Sequence, residues 1–281
     1  MDISAVIDAD IAYASDTPAR VALLPGGAGA NTSAWMATRG DPVTLVGAVG
    51  SDVFGRTIRE RLASIGVDVH LSEAPEPTGA CVIIVDLHRE RTMFPDVGAN
   101  SAVRREDVLV QVGAEDHLHV SGYTLINPAT RQLALDALDH ARHVGATCSL
   151  DPASAAPILS HRELFDDVLP KVDVLLANEL EAEALTGRDD PHAALELLAD
   201  RTPCVVVKVG ARGAMAHDAS GTVQAPSRAT EILDTTGAGD AFTAGFLPSW
   251  LRAEGLARAL ASGQDVAALA VARVGASPLD P

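Results

Sequence analysis

The chain has 281 residues, 47% of them hydrophobic, and a formal net charge of −17. That length and apolar content can bury a full core, while so negative a field argues against nucleic acid or an anionic membrane as partner. Cys81, Cys148 and Cys204 stand far apart in apolar runs, which argues against a disulfide framework or zinc site and points to a reducing cytoplasm. No apolar run approaches membrane-spanning length, and the first residues, read as they stand, lack the basic region of a signal peptide.

Short runs rich in Val and Ile, separated by Asp, Pro and Gly, predict strands at 5–14, 67–71, 79–87 and 91–94, which together read as a small flap. Between them, 32–39 predicts a helix, 43–49 a strand, and 54–65 a second helix closed by Gly66. From residue 115 onward strands and helices alternate. The compact apolar runs 117–121, 147–150, 172–177 and 204–209 predict strands, and amphipathic segments separate the first three, 128–143 being the clearest. Continuous apolar strands divided by helices imply a parallel sheet covered on both faces, with ligands at the carboxyl ends of its strands. Two alanine-rich helices, 238–252 and 256–273, close the chain, and Gly275 ends the second.

The most informative segment is Asp234-Thr235-Thr236-Gly237-Ala238-Gly239-Asp240. Its small residues let the backbone approach a ligand, and the helix behind them aims free N–H groups and its positive dipole end at the same point, which suits a phosphoryl group. Asp240, in the first helical turn, is placed to accept a proton from a hydroxyl beside that group. Upstream, Gly26-Gly27-Ala28-Gly29-Ala30-Asn31 precedes a helix, so its peptides and the Asn31 side chain can face a polyol; Thr32 replaces the third glycine of a dinucleotide fingerprint. Asn178 and Glu181 follow a strand at a spacing that puts both on one helical face, where they can hold hydrated Mg²⁺ or simply open a helix. Neither lysine, Lys171 or Lys208, follows a glycine, which excludes a Walker A loop. His117 with His119, and His140 with His143, share faces without a third ligand, and Asp151-Pro152 reads either as cleft lining or as a turn.

The string from Asp234 to Asp240 resembles the C-terminal signature of the ribokinase-like (PfkB) carbohydrate kinases. Pro25 to Asn31 is similar to the family's N-terminal glycine signature, Asn178-Glu179-Leu180-Glu181 to its NxxE motif, and Val209 to Ala214 to its nucleotide-side strand and turn. The resemblance implies one domain over 1–281: a three-layer α/β/α sandwich with a mostly parallel sheet and a small β-sheet lid drawn from about 3–14 and 67–95. It implies an ATP- and Mg²⁺-dependent kinase acting on a hydroxymethyl group of a sugar or sugar-like alcohol, with Asp240 as base and Gly237, Ala238 and Gly239 as anion hole. Asp2, Gly26, Gly27 and Asn31 match the acceptor site, and Asn178, Lys208, Gly210, Gly213 and Gln264 fall on the nucleotide side. Glu181 would hold Mg²⁺ through water, and Asp234, Thr236, Ala270 and Gly275 match the loops of a K⁺ site. A homodimer through the lid is a further implication. A nucleoside kinase of the same fold, with Tyr13 or Phe94 against the base, and a non-catalytic sugar- or nucleotide-sensing protein are the alternatives.

Relatives carry an apolar strand ahead of the residue that Asp2 matches. The chain as given opens at Met1-Asp2, so Asp2 is expected on a frayed end, in a form less stable than one extended upstream by a strand.

Overall fold

The computed structural model describes residues 1–87 and 91–279, apart from the Arg91 side chain. The first strands are β1 (Asp2–Ile7) and β2 (Ala19–Leu24), followed by α1 (Ala28–Thr38), β3 (Thr44–Gly50), α2 (Val53–Ser64) and β4 (Asp68–Ala74). Next come β5 (Ala80–Val85), β6 (Arg91–Asp96) and the short helix α3 (Arg105–Leu109). The alternating region runs β7 (His117–Ser121), α4 (Gly122–Ile126), α5 (Arg131–Val144), β8 (Thr147–Asp151), α6 (Ala155–Ser160), α7 (Arg162–Val168), β9 (Val174–Asn178), α8 (Glu179–Thr186), α9 (Pro191–Ala199) and β10 (Cys204–Lys208). The hairpin β11 (Ala214–Asp218) and β12 (Gly221–Ala225) precedes α10 (Ala238–Leu251) and α11 (Leu256–Val271).

The main sheet has the order β12-β11-β10-β9-β8-β7, parallel from β7 to β10 and antiparallel beyond. Strands β9 and β10 are apolar at successive positions because both faces are covered. Leu175, Val205 and Val207 point into a core with Leu138, Phe165 and Leu195, whereas Val174, Leu176 and Val206 meet Phe242, Phe246 and Leu260 on the opposite side. This is a three-layer α/β/α arrangement.

Helix α1 joins the second helical layer. Trp35 packs with Ala241, Ala244, Val266 and Ala270, and its indole Nε1 donates to the Ala276 carbonyl at 3.0 Å. Helices α10 and α11 approach so closely at Gly245 that a Cβ there would lie 2.4 Å from the Ser262 carbonyl oxygen. Hence α1, α10 and α11 form one tightly packed block.

The lid is a four-stranded sheet of order β2-β1-β5-β6. Two expectations about it need correction. The predicted strand at 67–71 lies outside the lid: β4 pairs in parallel with β3, because Val69 packs with Leu45, Ala34 and Leu62 beside α1 and α2. The predicted strand at 5–14 begins at Asp2 and ends at Ile7, and the second antiparallel partner is Ala19–Leu24, which the sequence reading passed over. The helix predicted from 32 starts four residues earlier, at Ala28, behind Gly27 with φ of 104°.

Asp2 is not on a frayed end. The Met1 ammonium donates to the Gly79 carbonyl at 3.0 Å, the Cys81 amide donates to the Met1 carbonyl at 2.8 Å, and Met1 and Asp2 are buried. Strand β1 is held on both sides, by β2 and β5, and those ladders anchor its first residue. Among the described residues, β3 and β7 each pair with a single strand, so the parallel layer stands as two separate sheets.

Candidate active site

The N-terminus of α10 is shaped by Gly237, whose φ of 73° and close approach to Ala276 exclude a side chain: a Cβ there would lie 2.5 Å from that of Ala276. No side chain caps this helix. The Ala238 amide donates to the Thr235 carbonyl at 3.3 Å, and the first helical bond runs from the Ala241 amide to the Gly237 carbonyl at 2.9 Å. The amides of Gly237, Gly239 and Asp240 thus precede the first helical bond without a helical acceptor, so Gly237 and Gly239 of the expected set remain and Asp240 joins them.

Asp240 and Asn31 are 209 residues apart in sequence, and the fold joins them: Asn31 Nδ2 donates to Asp240 Oδ2 at 2.8 Å. Burial lifts the Asp240 carboxyl to about 7; the Asn31 hydrogen bond and Lys208 oppose the shift, and the negative charges of Asp151 and Asp2 add to it. Asn31 is 4% exposed, and its Oδ1 is buried without a hydrogen-bond partner. Such an acceptor is costly unless a ligand's donor reaches it.

Asp2 belongs to the same neighbourhood. Its carboxylate occupies the space that a side chain at Gly26 would need, 2.2 Å from the position of a Cβ, so glycine there is a condition of Asp2 being where it is. Burial raises Asp2 to about 6, opposed by the adjacent terminal ammonium. Gly27 contributes the left-handed residue that opens α1.

On the other side, Asn178 and Glu181 form a reciprocal capping box. The Glu181 amide donates to Asn178 Oδ1 at 2.9 Å, and Glu181 accepts from the Asn178 amide and from Asn178 Nδ2 at 2.8 and 2.7 Å. The motif thus opens α8, as one of its two readings expected. Glu181 is 3% exposed, and burial, reinforced by Asp151, lifts it to about 7.

Lys208, at the end of β10, reaches across to Asp151 at the end of β8, with Nζ 3.0 Å from Oδ2. Its Nζ also lies 3.4 Å from where a Cβ on Gly239 would stand. Burial works against its charge, yet Asp151, Glu181 and Asp240 together raise its pKa above the ordinary value. The reading of Asp151-Pro152 as mere turn is half right: Asp151 Oδ1 accepts from the Ala153 amide at 2.9 Å and closes a turn, while Oδ2 holds the lysine.

Of the other predicted positions, Gln264 is buried in α11. Gly210 and Gly213 shape the turn from β10 to β11; a Cβ on Gly213 would fall 2.0 Å from the Ala225 carbonyl. Asp234, Thr236 and Gly275 do meet, but as a closed knot. Thr236 donates its amide and hydroxyl to Asp234 Oδ1 at 2.8 and 2.6 Å, Gly275 donates its amide to Oδ2 at 2.9 Å, and the Ala270 carbonyl accepts from the Arg273 amide at 3.2 Å. These bonds commit the Asp234 carboxylate and the Ala270 carbonyl to protein donors. His117 and His119 share the Ser149 hydroxyl at 2.7 and 2.8 Å, and burial lowers them to about 3 and 4, so they stay neutral. Tyr123, which the sequence reading missed, lies within electrostatic reach of Glu181, Asp151 and Asp240; an aromatic directly after a sheet strand was its only signal.

A carboxylate tuned to neutrality, free amides at a helix start and a lysine beside them form the outline of a phosphotransferase with an alcohol acceptor. The chain belongs to the pfkB family of carbohydrate kinases, whose model matches residues 3–281. It is similar to a fructokinase of Klebsiella pneumoniae, 32% identical over 96% of this chain and 92% of that one. Among solved structures it resembles the adenosine kinase of Sinorhizobium meliloti, at 28% identity and a TM-score of 0.84, covering 99% of this chain and 87% of that one. It also resembles a fructokinase of Vibrio cholerae O395 in a form bound to fructose, ADP and calcium ion, at 26% identity and a TM-score of 0.80, covering 99% and 92%.

Proposed function

We propose that this carbohydrate kinase phosphorylates a hydroxymethyl group of a neutral sugar with ATP, using Asp240 as base. The carrying observation is Asn31: its Nδ2 holds the Asp240 carboxylate while its buried Oδ1 awaits a donor. A polyol supplies that donor with one hydroxyl and presents a neighbouring one to Asp240. Asp2, over Gly26 and Gly27, offers two further acceptor oxygens to the sugar. Asp240 orients the reacting hydroxyl and takes its proton as the oxygen attacks phosphorus. The Gly237, Gly239 and Asp240 amides, in the tight turn that Ala238 completes, and the Lys208 ammonium stabilise the charge on the transferring group.

ATP with Mg²⁺ supplies that phosphoryl group with its charge screened. The residues fit such an ion held through water. Glu181, raised to about 7 beside Asp151, is a buried carboxylate in need of positive charge, and Mg²⁺ usually keeps several of its waters. Asn178, Lys208, Gly210, Gly213 and Gln264 make up the nucleotide side. The lid's outer face supports pairing with a second copy: Leu23, Ile3, Val82 and Phe94 lie in register across its strands, and Leu23 and Phe94 are 50% and 55% exposed.

The likeness to an adenosine kinase favours a second reading, nucleoside phosphorylation, for which the exposed Tyr13 is the available base platform, since Phe94 shares the face of Ile3 and Val82 rather than that of Asp2. The test is ADP release from MgATP with fructose, ribose, other pentoses and hexoses, their phosphates, and adenosine. Turnover of a neutral sugar at least tenfold above adenosine is expected. Preference for adenosine would replace the first reading with the second, and no turnover with any acceptor would overturn both.

A further inference from the structure

Lysines with little exposure are rare, and Lys208 is held by an ion pair with Asp151. Its side chain is 13% exposed and that of Asp151 18%, at 3.0 Å. The two stand at the carboxyl ends of β10 and β8, with β9 and its terminal Asn178 between them. The lysine therefore reaches across the strand that leads into Glu181, and its Nζ ends 3.4 Å from the space beside Gly239. That is the place where a phosphoryl group received by the first turn of α10 would lie.

Asp151 is itself unusually fixed. Its Oδ1 accepts from the Ala153 amide at 2.9 Å, and Ala153 has φ of 77°, the left-handed region that a residue with a Cβ avoids. A backbone outlier of this kind persists only where its surroundings over-determine it, and such outliers gather at working sites. The next residue back, Pro152, packs its carbonyl against Gly122, where a Cβ would come within 2.3 Å. One carboxylate oxygen thus locks a strained turn at the end of β8, and the other grips the lysine. An ordinary surface pair needs neither the strain nor the burial.

We propose that Asp151 is a positioning residue that acts through Lys208, holding its ammonium beside Gly239 so that a fixed positive charge meets the transferring phosphoryl group. The inference rests on the kinase reading above. Without Asp151, Lys208 is free to turn toward Glu181 or Asp240, the other carboxylates that act on it; there it would leave the phosphoryl group and lower the basicity of Asp240.

The experiment compares wild type, Asp151→Asn, Asp151→Glu, Lys208→Met and the double variant Asp151→Asn/Lys208→Met. Steady-state kinetics use MgATP and the fastest neutral sugar of the acceptor panel, calorimetry uses MgAMP-PNP and MgADP, and melting temperature reports folding. Asp151→Asn and Lys208→Met are each expected to lower kcat on the order of 10²-fold, the usual effect of removing one preorganised donor, with the sugar KM changed less than threefold. Both should weaken MgAMP-PNP more than MgADP, since only the former carries the third phosphoryl group. The double variant, which removes both charges together and so avoids an orphaned buried ion, should be no slower than Lys208→Met, and Asp151→Glu should recover much of kcat. Effects that multiply in the double variant would overturn the inference, as would Asp151→Asn with kcat within threefold of wild type; either result leaves the kinase reading intact. A wild type that phosphorylates no acceptor would overturn both.

Discussion

Replacing Asn31 with alanine should move the acid limb of the pH–rate profile, and the structure gives the size of the shift. Asn31 Nδ2 is one of two influences that hold the Asp240 carboxyl down, the other being Lys208; burial, Asp151 and Asp2 push it up, to a net value of about 7. A hydrogen bond to a charged group contributes about 1.5–3 kcal/mol, which at about 1.4 kcal/mol per unit is roughly one to two pKa units. Asn31→Ala should therefore carry Asp240 to about 8–9. The base works ionised, so kcat/KM rises with pH through this value. At pH 7 the variant should be slower by about 5- to 50-fold from ionisation alone, and the deficit should shrink toward pH 10. Lost sugar contacts would also raise KM, but they lower the whole profile without moving its inflection. Measuring kcat/KM from pH 5 to 10 separates the two, and an inflection unmoved within about 0.3 unit would refute the role given to this bond.

Asp240→Asn should lose on the order of 10² to 10⁴ in kcat and yet melt higher than wild type above pH 7. The raised carboxyl favours folding while protonated, so its contribution is present below pH 4 and is lost as pH rises through about 7; the neutral amide escapes that loss by a few degrees in Tm, and equal melting at pH 8 would contradict it. Gly239→Val should fold normally, since Gly239 has no left-handed φ; its Cβ would sit 3.4 Å from Lys208 Nζ and close the phosphoryl space. Transfer should fail while the melting temperature holds, and normal kcat would move the phosphoryl site elsewhere. Gly26→Ala should displace the Asp2 carboxylate, with which the new Cβ would overlap at 2.2 Å, raising the sugar KM about tenfold or more; an unchanged KM would remove Asp2 from the acceptor site.

The parts of the fold that could be read from the chain are those where local chemistry and tertiary role agree. Val174–Asn178 and Cys204–Lys208 are apolar on both faces because both faces are covered, and the glycine turn before Asp240 is a local device whose residues all lie within one loop. Ala19–Leu24 is hard to read because its alternation is blurred by Val21 and Leu23, both exposed on a lid face that none of the described residues covers. The strand at 67–71 was misassigned because strand propensity is silent about partners; only the packing of Val69 beside α1 and α2 gives it to β3. Pairs such as Asn31 with Asp240, or Lys208 with Asp151, are set by the meeting of strand ends and helix starts 209 and 57 residues apart, which no local pattern records.

The division of the acceptor's partners between two bodies has a thermodynamic meaning. Asn31 and Asp240 both sit in the block of α1, α10 and α11, welded by Trp35 and by the contact at Gly245, so the packing of the helices sets their mutual geometry. Asp2 belongs to the lid sheet. On the proposed reading a sugar that reaches from Asp2 to Asp240 would bridge the lid sheet and the helical block, so part of its intrinsic affinity would go into holding the two together. Discrimination between sugars would then enter through how well each one spans both, and a poor substrate would lose in kcat as well as in binding.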